Sequence, residues 1–351
     1  MANKRSVFTL VAAALAGCWD SYQDTIRRPP AQTDAGTQDA AMRLEACMFE
    51  DPPAAKPLPG GDCDPLVEAQ CALPWPSNLY LRPDARRRTG YTLAFGATSL
   101  PANPSGAHVA PTPFAQLDGY GVGTPIMAQF PNLDLSAMAT EDHIERSVEM
   151  TSRSLLFEVN GTTLTRVAHW VELDRQEPDA ARKILFLRPG VILKEGARYI
   201  VAFRDLRAAG GQAVAPSAAF MRLRAGTTNG DGALGPRQER FNEVFTLLEG
   251  AGVARNTLTL AWDFNTASSD ALHGRLLAMR DDALERVGPM GPALTVDDVR
   301  VFARQRDPNN PTMPVDENIA IELGGSFEVP HYLHPRMFGP TRVPVMNYGP
   351  N

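Results

Sequence analysis

Ser154-Leu155-Leu156-Phe157-Glu158-Val159-Asn160-Gly161-Thr162-Thr163-Leu164-Thr165-Arg166-Val167-Ala168-His169-Trp170-Val171 is the stretch on which the fold turns. Ser154 to Val159 and Thr162 to Val171 read as the two arms of a β-hairpin. Asn160-Gly161 between them supplies the positive φ angles that a tight type I′ turn demands. Two further short strands follow, Lys183 to Arg188 and Arg198 to Phe203. A Pro189-Gly190 turn and Lys194-Glu195-Gly196 separate them, and Gly210-Gly211 closes the second. Strands at even spacing with turn residues between them predict a β-sandwich.

Downstream of this stretch the periodicity changes. Phe241, Val244, Phe245 and Leu248 recur at helical spacing until Gly250 and Gly252 stop the run. A second helix is expected along Leu272, Leu276, Met279, Ala283 and Val287, with Ser268 or Ser269 as its N-cap. Thr257 to Phe264 reads as a strand between the two helices. Val296 to Ala303 and Ile319 to Leu323 are strand candidates, whereas Tyr332 to Asn351 is spaced by Pro and Gly and offers no closing element. Upstream, Pro74 to Pro131 is dense in Pro and Gly, which favours turns and short strands over helices.

The expected fold class is therefore mainly β with two or more α-helices, an Ig-like β-sandwich portion plus a helical segment. The divisions are a signal peptide over 1–17, a Pro/Ala-rich tether over 18–62 and a β-rich Ig-like region over 63–225. A helical segment with one strand is expected over 226–290, and strands with a linker-like tail over 291–351. The formal charge of -6 gives no electrostatic reason to expect a nucleic-acid partner.

The N-terminus carries its own message. Lys4 and Arg5 precede a short apolar run, Val7 to Leu15, which ends in Leu15-Ala16-Gly17-Cys18. A positive n-region, a brief apolar stretch and a small-residue cleavage site form the plan of a secretory signal. The run falls short of the roughly 20 residues needed to span a bilayer. Its terminal Cys makes it resemble a bacterial lipoprotein signal, which implies acylation of Cys18 and a protein anchored through lipid to the bacterial cell envelope. Export leads to a compartment where disulfides persist. Cys63 and Cys71 have a spacing suited to a small disulfide loop and unsuited to zinc, and Cys47 is left unpaired.

Catalytic patterns are sparse. The nucleophile elbow G-x-S-x-G does not occur; Gly324-Gly325-Ser326-Phe327-Glu328 misses its final Gly and is expected to be a flexible bend. His331 and His334 are flanked by Pro330 and Pro335 and do not share a helical face, and no H-E-x-x-H exists. His169 in a strand and His273 in a helix are expected to be structural. Asn229-Gly230-Asp231-Gly232 lacks the ligand alternation of an EF-hand and reads as a turn. Asp281, Asp282 and Glu285 read as a solvated helix face. No catalytic residue, metal ligand or cofactor is assigned.

Several phrases, taken in order, resemble one family. They are Cys63-Asp64-Pro65-Leu66, Cys71-Ala72-Leu73-Pro74-Trp75-Pro76-Ser77-Asn78, Leu117-Asp118-Gly119-Tyr120 and Leu187-Arg188-Pro189. Glu195 to Ala202, Ala261-Trp262-Asp263-Phe264 and Met279-Arg280-Asp281-Asp282-Ala283 complete the set. Together they look like the N-terminal region of large bacterial exported lipase-like proteins, the virulence factor lipase N-terminal type. The part from Arg198 to Phe203 is similar to a bacterial Ig-like domain. In that family an α/β-hydrolase domain follows this region; here the chain reaches Tyr348-Gly349-Pro350-Asn351 about where the approach to it would begin, so no complete α/β-hydrolase domain is expected and no catalytic residue carries over. The resemblance implies a membrane-anchored, non-catalytic portion of a lipase- or esterase-like protein, partnered by membrane lipid through Cys18 and by a hydrolase domain encoded downstream. The alternative is a stand-alone cell-envelope binding or adhesion lipoprotein; an enzyme with an unrecognised site ranks last.

Overall fold

The computed structural model describes residues 6–12, 61–328, 333–338 and 341–346. Strands β1 to β9 are Ser6–Ala12, Leu81–Pro83, Tyr91–Leu93, Ile126–Gln129, Ser154–Asn160, Thr163–Arg166, His169–Leu173, Ile184–Pro189 and Arg198–Arg204. Helices α1 (Ala218–Ala225) and α2 (Gln238–Gly250) follow, then β10 (Leu258–Asn265) and α3 (Ser269–Val287). The last strands are β11 (Leu294–Val301), β12 (Ile321–Phe327), β13 (Leu333–Phe338) and β14 (Thr341–Met346). The fold is mainly β, with helices added, and the chain divides into two compact units.

The larger unit spans Asp51–Gly274. Its main sheet is antiparallel in the order β10-β9-β5-β6, and a second sheet runs β4-β8-β7. The hairpin forms, with Asn160 opposite Thr163, but Asn160 stays in the strand and the two turn residues are Gly161 and Thr162. Only Gly161 has positive φ (62°), so the turn is not the type I′ turn expected at Asn160-Gly161. Its second arm departs from expectation. Instead of one strand from Thr162 to Val171, the chain breaks after Arg166, so that β6 pairs in the first sheet and β7 in the second. The break is held from both sides. The Val167 N–H still donates to Leu156, while the Ala168 carbonyl accepts from Gly190. Val167 at the break and Val171 in β7 are both buried.

Strands β5, β9 and β10 are buried along most of their length, which explains their nearly continuous apolar sequences. Phe157, Tyr199, Phe203, Trp262 and Phe264 are almost fully buried, and Phe130 packs edge-on against Phe203. Helix α2 presents Phe241, Val244, Phe245 and Leu248 to this core. Helix α1 lies inside the span expected to be β-rich. Ser217 caps it by accepting from the Phe220 N–H, and Gly226 ends it at φ 72°. Phe220 and Leu223 of α1 join the same core, with Phe220 against Phe241 and Phe245.

The smaller unit comprises Met1–Glu50 and Arg275–Asn351. Its three-stranded sheet runs β1-β12-β11, all antiparallel. Gly324, Gly325 and Ser326 therefore stand in the central strand rather than in a flexible bend. A side chain at Gly325 would meet the Thr295 carbonyl oxygen at 2.3 Å, so close approach of β11 requires glycine there. The C-terminal stretch expected to be linker-like pairs as a hairpin, β13 against β14, with Phe338 opposite Thr341. Pro335 stands opposite Pro344 in that two-stranded ladder, where outer-edge positions need no N–H. Among the described residues no helix is long and apolar enough to cross a membrane.

Candidate functional site

The resembling phrases from Cys63 to Phe264 lie within the larger unit, whereas Met279 to Ala283 falls in the smaller one. Asp64 lies just past Cys63, whose sulfur is bonded to that of Cys71. Its carboxylate accepts from the Leu66 N–H and takes a two-pronged bond from Arg237, Nη1 to Oδ1 at 2.8 Å and Nη2 to Oδ2 at 3.1 Å. The Arg237 guanidinium also lies over the Phe241 ring, 5.3 Å from its centroid. Ser77 caps a single 3-10 turn, Asn78–Tyr80, by accepting from the Leu79 N–H. The backbone carbonyls before that turn are claimed from elsewhere: Trp262 Nε1 donates to Pro76 at 2.7 Å and the Tyr120 hydroxyl donates to Ser77 at 2.7 Å.

Asp118 and Gly119 complete the junction. Asp118 Oδ1 accepts from the Ser268 N–H at 2.9 Å, the residue whose hydroxyl accepts from Ala271 at the start of α3. A Cβ on Gly119 would fall 2.6 Å from the backbone of Thr266 and Ala267, so only glycine admits the parallel bridge between Tyr120 and Thr266.

Asp263, next to Trp262 on β10, anchors a second charged group. Arg240 donates to it through Nε and Nη2, Arg198 donates through Nε at 2.7 Å, and Arg198 also reaches Glu243. Arg240 and Glu243 are three apart on α2 and so share a face. Burial pushes the Asp263 carboxyl up; Arg240, and Arg198 beside it, outweigh that and hold it below the ordinary carboxylate range.

Between these two charged groups lies a cleft of about 180 Å³, lined among others by Asn78, Arg82, Arg237, Arg240, Trp262 and Asp263. Arg237 and Arg240 have acid partners, but Arg82 does not. Its Nη1 donates to the carbonyls of Leu79 and Leu81, while Nη2 is buried and has no partner among the described residues. Burial draws the Arg82 guanidinium below its ordinary value. Asn78 uses its Nδ2 on Asn265, and its buried Oδ1 is also without a partner among the described residues.

The remaining candidates have other placements. Cys18 and Cys47 lie outside the described residues, as does His331. His169 and Ser154 are 3.0 Å apart, Nε2 to Oγ, and the other ring nitrogen faces the Val167 carbonyl. Both side chains are wholly buried, and burial pulls the His169 imidazolium down to about 4, so this serine-histidine pair joins the two sheets out of reach of any substrate. His273 pairs with Glu195, His143 with Glu145, and His108 with the Leu100 carbonyl. Asp231 caps its own turn by accepting from Ala233 and Leu234 and pairs with Arg222. Asp281 pairs with Arg280, and Asp282 with Arg286, on the surface of α3. Among the described residues no group of three or more His, Cys, Asp or Glu side chains could hold a metal ion.

Sequence reading quoted Asp64 and Asp263 within phrases but gave them no task, and it passed over Arg82, Arg237 and Arg240. Their pairings span long stretches of chain, 173 residues for Asp64 with Arg237, so no local pattern announces them. No family model, curated protein or solved structure matches this chain.

Proposed function

We propose that this chain is an exported bacterial lipoprotein, acylated at Cys18, whose folded part is a non-catalytic module of a lipase- or esterase-like protein. The observation that carries this reading is the junction around Trp262. Asp64, Asp118, Tyr120, Trp262 and Asp263 all belong to the resembling phrases, and each spends side-chain polar atoms on holding distant backbone or an arginine, while Ser77 of the same phrases caps the adjacent turn. Residues used in this way define a module and its internal order, which is what an N-terminal, display-type region requires. The disulfide between Cys63 and Cys71 supports the oxidising compartment that the N-terminal signal implies. The four-stranded and three-stranded antiparallel sheets support an Ig-like reading of this module.

A second reading, a stand-alone cell-envelope binding lipoprotein, is favoured by one observation, that Arg82 at the cleft has carbonyl partners through Nη1 but none for Nη2 among the described residues.

Two measurements test the proposal. Cys18→Ser is expected to release the protein from the membrane fraction, and unchanged membrane association would overturn the anchor. The purified protein is expected to leave a short-chain nitrophenyl ester uncleaved above a heat-killed control. Saturable hydrolysis would overturn the non-catalytic assignment.

A further inference from the structure

The smaller unit has no interior of its own: none of the described residues from Arg275 to Glu328 is buried. The pairing of β11 with β12 nonetheless sorts its side chains by polarity. Val296 stands opposite Gly325, Val299 opposite Leu323 and Val301 opposite Ile321, and Leu294 shares their face. The register shifts between Val296 and Asp298. That one extra residue keeps Leu294 and Val296 on the side of Val299 and Val301, whereas a regular strand would send the two pairs to opposite faces. The other face carries Thr295, Asp298, Arg300, Glu322 and Ser326, with Arg300 3.1 Å from Asp298 and 3.8 Å from Glu322. A sheet so divided buries its apolar face against a second layer. Here Leu294, Val296, Val299, Val301 and Ile321 are 42 to 60 % exposed, so no described residue covers that face.

We infer that two copies of the chain stack their β11–β12 sheets on each other, apolar face to apolar face. The face carries no charge and no hydrogen-bonding side chain, so its counterpart is an equally apolar face. The other exposed large apolar residues lie on loops and helices, which leaves the same sheet face of a second copy as its like. Strand addition at the β11 edge is opposed by Asp297 and Asp298 at the bulge and by Arg300, charges that keep an edge from pairing with another chain. From Arg275 to Glu328 acidic residues outnumber arginines ten to six, which disfavours an anionic lipid surface as the cover. The same patch on both copies closes the assembly as a twofold dimer. With eight residues in β11 the patch measures roughly 27 Å by 10 Å, about 300 Å² per copy. A stable dimer takes about 1,200 Å² in total, so this pairing is reversible and needs high concentration. Acid on both copies opposes it at low salt, so association strengthens as salt screens that repulsion. The inference draws on neither the lipase-like reading nor Cys18.

The test is sedimentation of the purified full chain over a wide range of concentration, at low and at high salt. A monomer that passes reversibly into a dimer is expected, and passes further at high salt. Val299→Asp puts an unpaired carboxylate into the contact and is expected to weaken association about tenfold or more. Val299→Thr with Val301→Thr keeps the branched shape and the strand preference, and is expected to weaken it as well. Thr295→Asp on the polar face and Leu284→Asp on α3 are expected to leave it unchanged, with thermal midpoints of all variants near that of the parent. A monomer at every concentration, association that falls with salt, or association unaltered by both Val299 variants would overturn the inference. Equal weakening by Thr295→Asp or Leu284→Asp would also overturn it, by placing the contact elsewhere. Phosphatidylglycerol vesicles that bind the parent but not the Val299→Asp protein would assign the face to lipid and overturn it too.

Discussion

Asp64 and Arg237 meet fork to fork across 173 residues of sequence, with side-chain exposures of 0 % and 12 %. This pair ties the disulfide loop to the entrance of α2. Breaking a buried ion pair by removing one partner costs about 3–5 kcal/mol, because the other charge is left without compensation. Asp64→Ala is therefore expected to lower the unfolding free energy by about 3 kcal/mol or more in urea titrations. Asp64→Leu combined with Arg237→Met should be less destabilised than Asp64→Ala alone. Equal losses in the single and double variants would contradict an interaction between the two.

Gly119 gives a sharper geometric test. Its missing Cβ is what lets Tyr120 bridge to Thr266, and the atoms in the way belong to backbone. Gly119→Ala should cost about 2 kcal/mol or more, in the range of overpacked sites. Gly123 has open space around its Cβ position and serves as the control. Gly123→Ala should stay within about 0.5 kcal/mol of the parent.

His169 predicts a pH dependence. Its folded pKa is about 4, against 6.5 for the free side chain, so between these values the unfolded chain binds a proton that the folded chain refuses. Stability from this group is complete above pH 6.5 and declines as pH falls through the window to about 4, below which the term levels off. The full effect is on the order of 3 kcal/mol. His169→Gln should flatten that segment of the stability profile, and an unchanged slope in the variant would assign the acid sensitivity elsewhere.

The disulfide between Cys63 and Cys71 closes a short loop whose base is also clamped by the Asp64 N–H donating to the Cys71 carbonyl, with the Asp64 carboxylate accepting from Leu66. Cys63→Ser with Cys71→Ser is expected to lose about 2–3 kcal/mol, the loop-closure contribution for a ring of this size. Thermal melts with and without reductant would check it: the parent should fall toward the double variant, and the double variant should not respond.

How much of this was legible in the sequence depended on how local the cause was. Gly161 marks the hairpin, although the turn sits one residue later than the Asn160-Gly161 pair implied, and Phe241, Val244, Phe245 and Leu248 fix their own helix face, so the hairpin and the helix were legible from local sequence. The short helix α1 carried the same kind of mark, Ser217 before it and Gly226 after it, but its few apolar residues form no long stripe. The sheet change at Val167 and the strand through Gly324 and Gly325 were not legible. Each depends on which strand arrives alongside, and neither β8 nor β11 is adjacent to those residues in sequence. The cleft was the least legible of all. Asn78, Arg82, Arg237 and Asp263 acquire their meaning from which charges find partners and which do not.

The central claim is that this folded module is held at a membrane by lipid on Cys18. The intact mass of the protein extracted from the membrane fraction of a bacterial host tests it most directly. The account predicts a chain beginning at Cys18 with the added mass of acyl groups, and an unmodified processed chain for the Cys18→Ser variant or none processed at all. A parent protein that retains Met1, or begins elsewhere without lipid, would contradict it.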